Sequence, residues 1–278
     1  MIKIVAAFDG LKFSESARDY AIYLASQSKA HLVGAFLDDF SYHSYKIYEL
    51  VDKEGFSAEK LKRLEEKDKT ARKAAVQSFE AACQRESLSY AVHSDKSIAL
   101  QELLHESIYA DLLVIDSKET LTHYEEKLPT EFIRDLLVNV ECPVILTPKK
   151  FKTPDKIVML YDGGPSSVYA IKMFSYLLPL SDIPVEVLSV KTTEQTSHLP
   201  DNKLMKELMK RHFTNVTYTV MKGQAEEQIV TYLRDMKGSP FIVLGAYRRS
   251  MVSRWFKPSM ADALMKEMKL PLFVAHTK

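Results

Sequence analysis

Several things are scarce in this chain, and each scarcity removes a class of protein. Cysteine occurs twice in 278 residues, at Cys83 and Cys142. Two cysteines are too few for a disulfide-stapled scaffold, and with no CxxC a structural zinc site lacks ligands at the usual spacing. Cys83 falls in a helical pattern and Cys142 opens a strand pattern, so both read as buried thiols in a reducing cytoplasm. No charge of one sign dominates: 38 Lys and Arg stand against 37 Asp and Glu, a net charge of +1. That balance speaks against a dedicated nucleic-acid binder. No apolar run approaches the roughly 18 residues that a membrane span needs. The opening words MIKIVAAFDG read as a first strand rather than a signal peptide. The motifs G-x4-GK[ST], GxGxxG and GxSxG are absent, and the eight histidines never fall into HExxH, so nucleotide hydrolysis by a P-loop, serine hydrolysis and zinc proteolysis lack a basis. The expectation is a cytoplasmic protein with no membrane and no nucleic-acid partner.

What is present is a repeat. KIVAAFDG (3–10) and KIVMLYDG (156–163) are nearly one word. Asp9 is followed by Ser14 and Ala17, and Asp162 by Ser167 and Ala170, at identical spacing. ADLLVID (110–116) matches SPFIVLG (239–245), and CPVILTPKK (142–150) matches LPLFVAHTK (270–278). Pro129-Thr130 stands at the same offset from Asp116 as Pro258-Ser259 from Gly245. Five matches in one order mean a duplicated unit. The expected division is 1–149 and 154–278, with the polar, proline-containing KKFKTPD as the joint.

Each copy alternates strand and helix. Short apolar runs (IKIVAAF, HLVGAFL, DLLVID, PVILT) have the pattern of strands buried on both faces. Between them, Ser14 can cap a helix with Ala17, Ala21, Leu24 and Ala25 inward, residues 57–86 read as one long helix, and helices follow at 99–107 and 130–140. Copy two repeats this with IVMLY, VEVLSV, VTYTVM, FIVLG and PLFVA as strands and helices that include 202–212. Strands alternating with helices imply parallel pairing with right-handed crossovers. The predicted fold is α/β: two tandem Rossmann-like units, each an open parallel five-stranded sheet with helices on both faces. In such sheets ligands sit at the carboxyl ends of the strands where strand order reverses. That places the turns after Asp9 and Asp162, and the loops 116–130 and 245–259, beside a crevice.

A loop leading into a helix binds phosphate when free N–H groups and the dipole of the helix start face it and glycine lets the backbone approach. In GAYRRSMVSRWFKPS (245–259), Gly245 suits the bend, Ser259 suits a helix cap or a phosphate contact, and Arg248, Arg249, Arg254 and Lys257 add positive charge. A solvated basic loop with Ser259 as a plain cap is the alternative. Asp162 has two readings as well, a ligand contact or an acceptor for nearby N–H groups in an Asx-turn. For Asp9 the turn reading is preferred. DFSYHSYKIY (39–48) is rich in aromatic rings, and it covers core or forms a contact surface; Trp255 either anchors a partner or plugs the sheet.

These words resemble the universal stress protein (UspA-like) family in its tandem two-domain form. The KIV…DG words, the Asp-x4-Ser-x2-Ala spacing, VLGAYRRSMVSRWFKPS, CPVILTP and LPLFVA carry the resemblance over nearly the whole chain. It implies the adenine nucleotide alpha hydrolase-like version of the fold, and stress-response function. It also implies that Asp162, the backbone at Val190, Gly245, Arg248 and Ser259 are the positions that would meet ATP or AMP in the second unit. Members that hold ATP carry Gly-x2-Gly-x9-Gly-Ser/Thr. The second copy reads Gly245-x2-Arg248-x9-Pro258-Ser259, and the first reads Asp116-x2-Glu119-x9-Pro129-Thr130. Proline removes an N–H donor, and Asp116 with Glu119 puts negative charge where phosphate charge would lie. The first unit is therefore expected not to bind ATP. The expected function is non-catalytic, through binding and assembly. An adenine-nucleotide switch through the second unit and a slow ATP-hydrolysing enzyme are the alternatives. No metal site or catalytic residue is expected. The last strands of the two units are expected to pair inside one chain, a pseudo-dimer, with homodimerisation as a further option.

Overall fold

The computed structural model describes residues 1–39, 51–52, 55–56, 58–94, 96–191, 198–246 and 259–276. Most of the aromatic stretch 40–48 and the residues Arg248, Arg249, Arg254, Trp255, Lys257 and Pro258 lie outside the described residues. The first half runs β1 (Lys3–Asp9), α1 (Glu15–Ser28), β2 (His31–Asp39), the two-residue strands β3 (Val51–Asp52) and β4 (Gly55–Phe56), α2 (Ala58–Arg85), β5 (Tyr90–His93), the two-residue β6 (Lys96–Ser97), α3 (Ala99–Ile108), β7 (Leu112–Asp116), α4 (Glu131–Asn139) and β8 (Val144–Thr147). The second half runs β9 (Lys156–Leu160), α5 (Pro165–Leu177), β10 (Val185–Lys191), α6 (Asn202–His212), β11 (Val216–Lys222), α7 (Ala225–Asp235), β12 (Pro240–Gly245), α8 (Met260–Glu267) and β13 (Leu272–Ala275).

The main strands form one continuous sheet in the order β11-β10-β9-β12-β13-β8-β7-β1-β2-β5, with β6 attached to β2. Read outward from its centre, the path is the same on both sides. Pairing of the main strands within each half is parallel, and the short β3 and β4 pair antiparallel outside this sheet. The centre is an antiparallel seam in which Leu272, Phe273 and Val274 of β13 face Leu146, Ile145 and Val144 of β8. In each half the strand order reverses between the first and fourth main strands, β1 beside β7 and β9 beside β12.

Local chemistry accounts for the elements. β1 is buried from Ile4 to Asp9 because helices cover both faces. The Ser14 side chain accepts the N–H of Ala17 and caps α1, and Lys29 ends that helix in the left-handed region at φ 51°. Of the stripe that the periodicity of α2 predicts inward, Ala75, Phe79 and Ala82 are buried, together with Cys83, while Ala71 is half-buried. Gly34 lies against that stripe, where a Cβ would come within 2.8 Å of the Phe79 ring. One core layer takes in side chains of α1, α2, α5 and α6, and the other those of α3, α4, α7 and α8. Cys83 is buried, and Cys142, expected to be buried too, is half-buried just before β8. The connection between the halves is less loose than its polar composition suggests. The Phe151 ring stands edge-on to Tyr20 at 4.8 Å, and Ser16 Oγ donates to the Pro148 carbonyl at 2.6 Å.

Each half opens on a lysine paired with a glutamate, half-buried Glu106 in the first and buried Glu186 in the second, and the glutamate comes from different places. Lys3 Nζ is 3.2 Å from Glu106 of α3, which also bonds the His93 ring. Lys156 Nζ is 2.6 Å from Glu186 of β10, which further accepts from Tyr232 and Thr219. Burial alone would raise both carboxyls, but the bonds from His93 and Lys3 hold Glu106 below its ordinary value, and those from Lys156, Thr219 and Tyr232 do the same for Glu186. A carboxyl held low in the fold contributes stability above its unfolded value, about 4.3 for Glu, and loses it as pH falls through the lower folded value. Urea unfolding should therefore show stability dropping on acidification below about pH 4.3. Glu186→Gln should be less stable near neutrality and show a shallower acid-side loss. An unchanged acid slope in the variant would refute this origin.

Candidate functional site

The first crevice, between the ends of β1 and β7, is lined by carboxylates. Asp9 at the end of β1 is buried, and its Oδ1 accepts the N–H of Leu11 at 2.7 Å, an Asx-turn. Asp116 at the end of β7 accepts from Ser14 Oγ at 2.6 Å and from the N–H of Lys118 at 2.9 Å. Glu119 is buried, and its Oε1 accepts the N–H groups of Thr120 and Leu121, each at 2.9 Å. Burial first, then the charges of Asp9 and Asp116, push the Glu119 carboxyl up to about 7, while the two N–H bonds act in the opposite direction. At the start of α4, Thr130 caps the N–H of Ile133, and Glu126 Oε2 accepts the N–H of Glu131 at 2.7 Å. The N–H groups of Glu131 and Ile133 at this helix start are thus engaged by the protein's own oxygens, and an added anion meets negative charge.

The second crevice shares the address but not the lining. Asp162 follows β9, is exposed, and uses one oxygen, Oδ1, to accept from the N–H of Gly164 at 2.8 Å and from Ser167 Oγ at 2.6 Å. The aligned serines therefore do different work: Ser14 caps a helix and reaches the loop carboxylate, whereas Ser167 lies inside α5 and reaches back to Asp162. The cause is the helix start. α5 begins at Pro165, two residues after Gly163, one turn earlier in the repeat than α1. Its first peptide units press on the end of β12, where a Cβ on Gly245 would lie 2.5 Å from the carbonyl carbon and oxygen of Ser166. Packing alone thus demands glycine at 245, while the aligned Asp116 has room for a side chain. Ser166 Oγ is buried there with no hydrogen-bond partner among the described residues. Val190 lies in β10 two residues past its last pair with β9, Leu188 with Leu160, as Asp162 lies two residues past Leu160. Ser259 caps α8: its hydroxyl accepts the N–H of Asp262 at 3.2 Å, and Asp262 Oδ2 accepts the N–H of Ser259 at 3.0 Å. Asp162, Gly245 and Val190 therefore stand at the carboxyl ends of neighbouring strands, Ser259 opens the helix that follows, and Arg248 lies outside the described residues.

Asp162, Gly245 and Ser259 each have a structural occupation: turn acceptor, close packing and capping box. Sequence reasoning missed the part of Asp262, although Ser259-x-x-Asp262 is a capping-box signature. It also missed Glu186, visible only as one charged residue inside the strand VEVLSV. Among the described residues no group of three or more His, Cys, Asp or Glu side chains is arranged to hold a metal ion. No described helix is long and apolar enough to cross a membrane.

The fold has close relatives among solved structures. A universal stress protein from Archaeoglobus fulgidus superposes with a TM-score of 0.68 at 14% identity, covering 99% of this chain and 98% of its own. A putative universal stress protein from Pseudomonas aeruginosa gives 0.62 at 14% identity over 98% and 92%. In sequence, a universal stress protein of Synechocystis sp. is 22% identical over 292 residues, 98% of this chain and 99% of that protein. The chain is universal stress protein-like, in the tandem form. No family model matches it. The likeness spans both halves of this universal stress protein-like chain, so the unlike crevices belong to one duplicated fold.

Gly245→Ala tests the packing reading. Overpacking against backbone should cost about 1–3 kcal/mol, read as a lowered thermal midpoint without any ligand present. An unchanged midpoint would show that the contact with Ser166 yields freely.

Proposed function

We propose that this chain is a non-catalytic universal stress protein that acts through binding and assembly, and that its first crevice takes no nucleotide. Residues 1–149 and 154–278 are the two units in this reading, and their seam within one chain stands in for a dimer interface. The observation that carries it is the lining of the first crevice, where Glu119 sits buried between Asp9 and Asp116 and its carboxyl engages the N–H groups of Thr120 and Leu121. A phosphate there would need those donors and would face the charges of Asp9 and Asp116 beside them, a repulsion of several kcal/mol where water is excluded.

A second reading keeps an adenine nucleotide, ATP or AMP, in the second crevice as a switch. Two features favour it: Asp162 is exposed with Oδ2 turned to no described donor, and the Ser166 hydroxyl beside it is buried with no partner among the described residues. Against it stands the Asp262 carboxylate, which already caps the helix start that would face phosphate. In this reading Asp162 and the Val190 backbone meet the nucleoside, and Gly245, Arg248 and Ser259 lie along the phosphates. A cytoplasmic location and homodimerisation are further parts of the proposal.

Equilibrium dialysis of the full chain with ATP and magnesium, followed by a phosphate assay, separates these readings. The expected result is no phosphate release above buffer and no more than one nucleotide per chain. One equivalent that disappears in Asp162→Ala would establish the second crevice as the site. Two equivalents, or turnover abolished by Asp162→Ala, would overturn the proposal.

A further inference from the structure

The loop between β7 and α4 folds inward where loops ordinarily stay on the surface. Glu119, Thr120 and Leu121 are all buried. Leu121 joins the apolar layer under α3 and α4 although its φ is 49°, in the left-handed region that disfavours a leucine. Three ties hold this segment. Thr130 Oγ1, at the start of α4, donates to the Glu119 carbonyl at 2.6 Å. The Glu119 carboxyl accepts from the next two N–H groups. Lys12, from the turn after β1, donates to the Thr122 carbonyl. The result is a plug seated in the first crevice with an acidic group at its point.

The charges around that point come from every neighbouring element. β1 contributes Asp9 and β7 contributes Asp116, both of which act on Glu119. The turn after β1 contributes Lys12, engaged with the loop carbonyl. α1 presents the Ser14 hydroxyl, bonded to Asp116. α4 presents uncharged Thr130, followed by Glu131, and the loop itself carries Lys118, His123, Glu125 and Glu126. The charges that act on Glu119 itself are both negative.

We propose that residues 119–121 form a proton-operated latch on the first crevice, seated while Glu119 carries a proton and released when Glu119 ionises between Asp9 and Asp116. The reason is linkage. Seated, the carboxyl titrates near 7, raised by burial and by the two aspartates. Released into water it returns to the ordinary value of about 4.3. The seated state therefore binds the proton more tightly, so seating is favoured fully below about pH 4.3 and is lost as pH rises through about 7. This window lies above the acid-side loss assigned to Glu106 and Glu186 and has the opposite sign. The second half has no such device at the aligned position, which is Arg248. The latch holds whether or not a nucleotide binds the second crevice.

Hydrogen exchange of the full chain read by mass spectrometry, corrected for the intrinsic pH dependence of exchange, tests it between about pH 5.5 and about pH 8.5. Protection of the amides at 118–122 should fall by up to about tenfold per pH unit as pH passes 7, while β1 and β7 stay protected. Glu119→Gln, which keeps size and acceptor but cannot ionise, should stay protected throughout. Asp116→Asn, whose Oδ1 still accepts from the Lys118 N–H while its Nδ2 donates to Ser14 Oγ in place of accepting from it, should move the midpoint to lower pH. Flat protection in the natural chain, the same pH dependence in Glu119→Gln, or an unmoved midpoint in Asp116→Asn would each overturn the latch.

Discussion

Backbone pairing between β8 and β13 is the constraint on which the rest of the molecule rests. Each half ends in a short strand of four residues whose outer row of N–H and C=O groups has no partner within its own half. Facing these two edges antiparallel satisfies both rows at once. It also places Phe273 opposite Ile145 in the middle of the sheet, where the ring stands edge-on to Phe174 at 5.3 Å. Because the seam joins like edges, each half keeps its carboxyl-end crevice clear of the other's strands. The edges that remain, β11 and β5, lie at the two outer ends of the sheet.

Duplication preserved the address of each crevice and let the lining change. The conserved words specify strands, and strands are held by burial on both faces, so a replaced side chain there is costly. The loops at strand ends carry no such penalty. The serine of the Asp-x4-Ser spacing shows how a small shift spreads. An earlier start for α5 turns Ser167 from a cap into a partner of Asp162, brings helix backbone against β12, and makes glycine obligatory at 245. In the first half the helix starts later, Ser14 remains a cap, and position 116 accepts an aspartate that Ser14 then bonds.

This pattern explains what the sequence disclosed. Element type and order were legible because buried parallel strands are short continuous apolar runs and the helices show clean 3.6-residue stripes: the reading of 57–86 as one helix corresponds to Ala58–Arg85, and 202–212 to Asn202–His212. The repeat carried the topology, since two copies in one order share one path. The crevices were legible only as places. Nothing local in SKETL distinguishes a solvated glutamate from one buried beside Asp9 and Asp116, because Asp9 arrives from β1, far off in sequence, and Thr130 at the start of α4 meets the segment only through the fold. The roles of Gly245 and Ser259 were legible as alternatives, and the packing against Ser166 and the box with Asp262 supply the structural side of each.

The two crevices illustrate one electrostatic rule. A helix start offers unpaired N–H groups and partial positive charge, and some oxygen must answer it. If the protein leaves that answer to a ligand, the helix start is a binding site that is weak until filled. If it supplies the oxygen itself, the fold is stable in the absence of ligand, and an incoming anion must displace a tethered carboxylate at high effective concentration. α4 is answered by Thr130 and Glu126, and α8 by Ser259 and Asp262. Both helix starts at the two crevices are thus closed from within. Of the helices beginning at the crevice mouths, α5 differs: its cap position is Gly164, which has no side chain to offer, and a proline follows it. The oxygen that answers this start comes from the turn before it, where Asp162 Oδ1 accepts from the Gly164 N–H and the Ser167 hydroxyl, so the residues after the first strand set the chemistry at α5 as Asp262 does at α8.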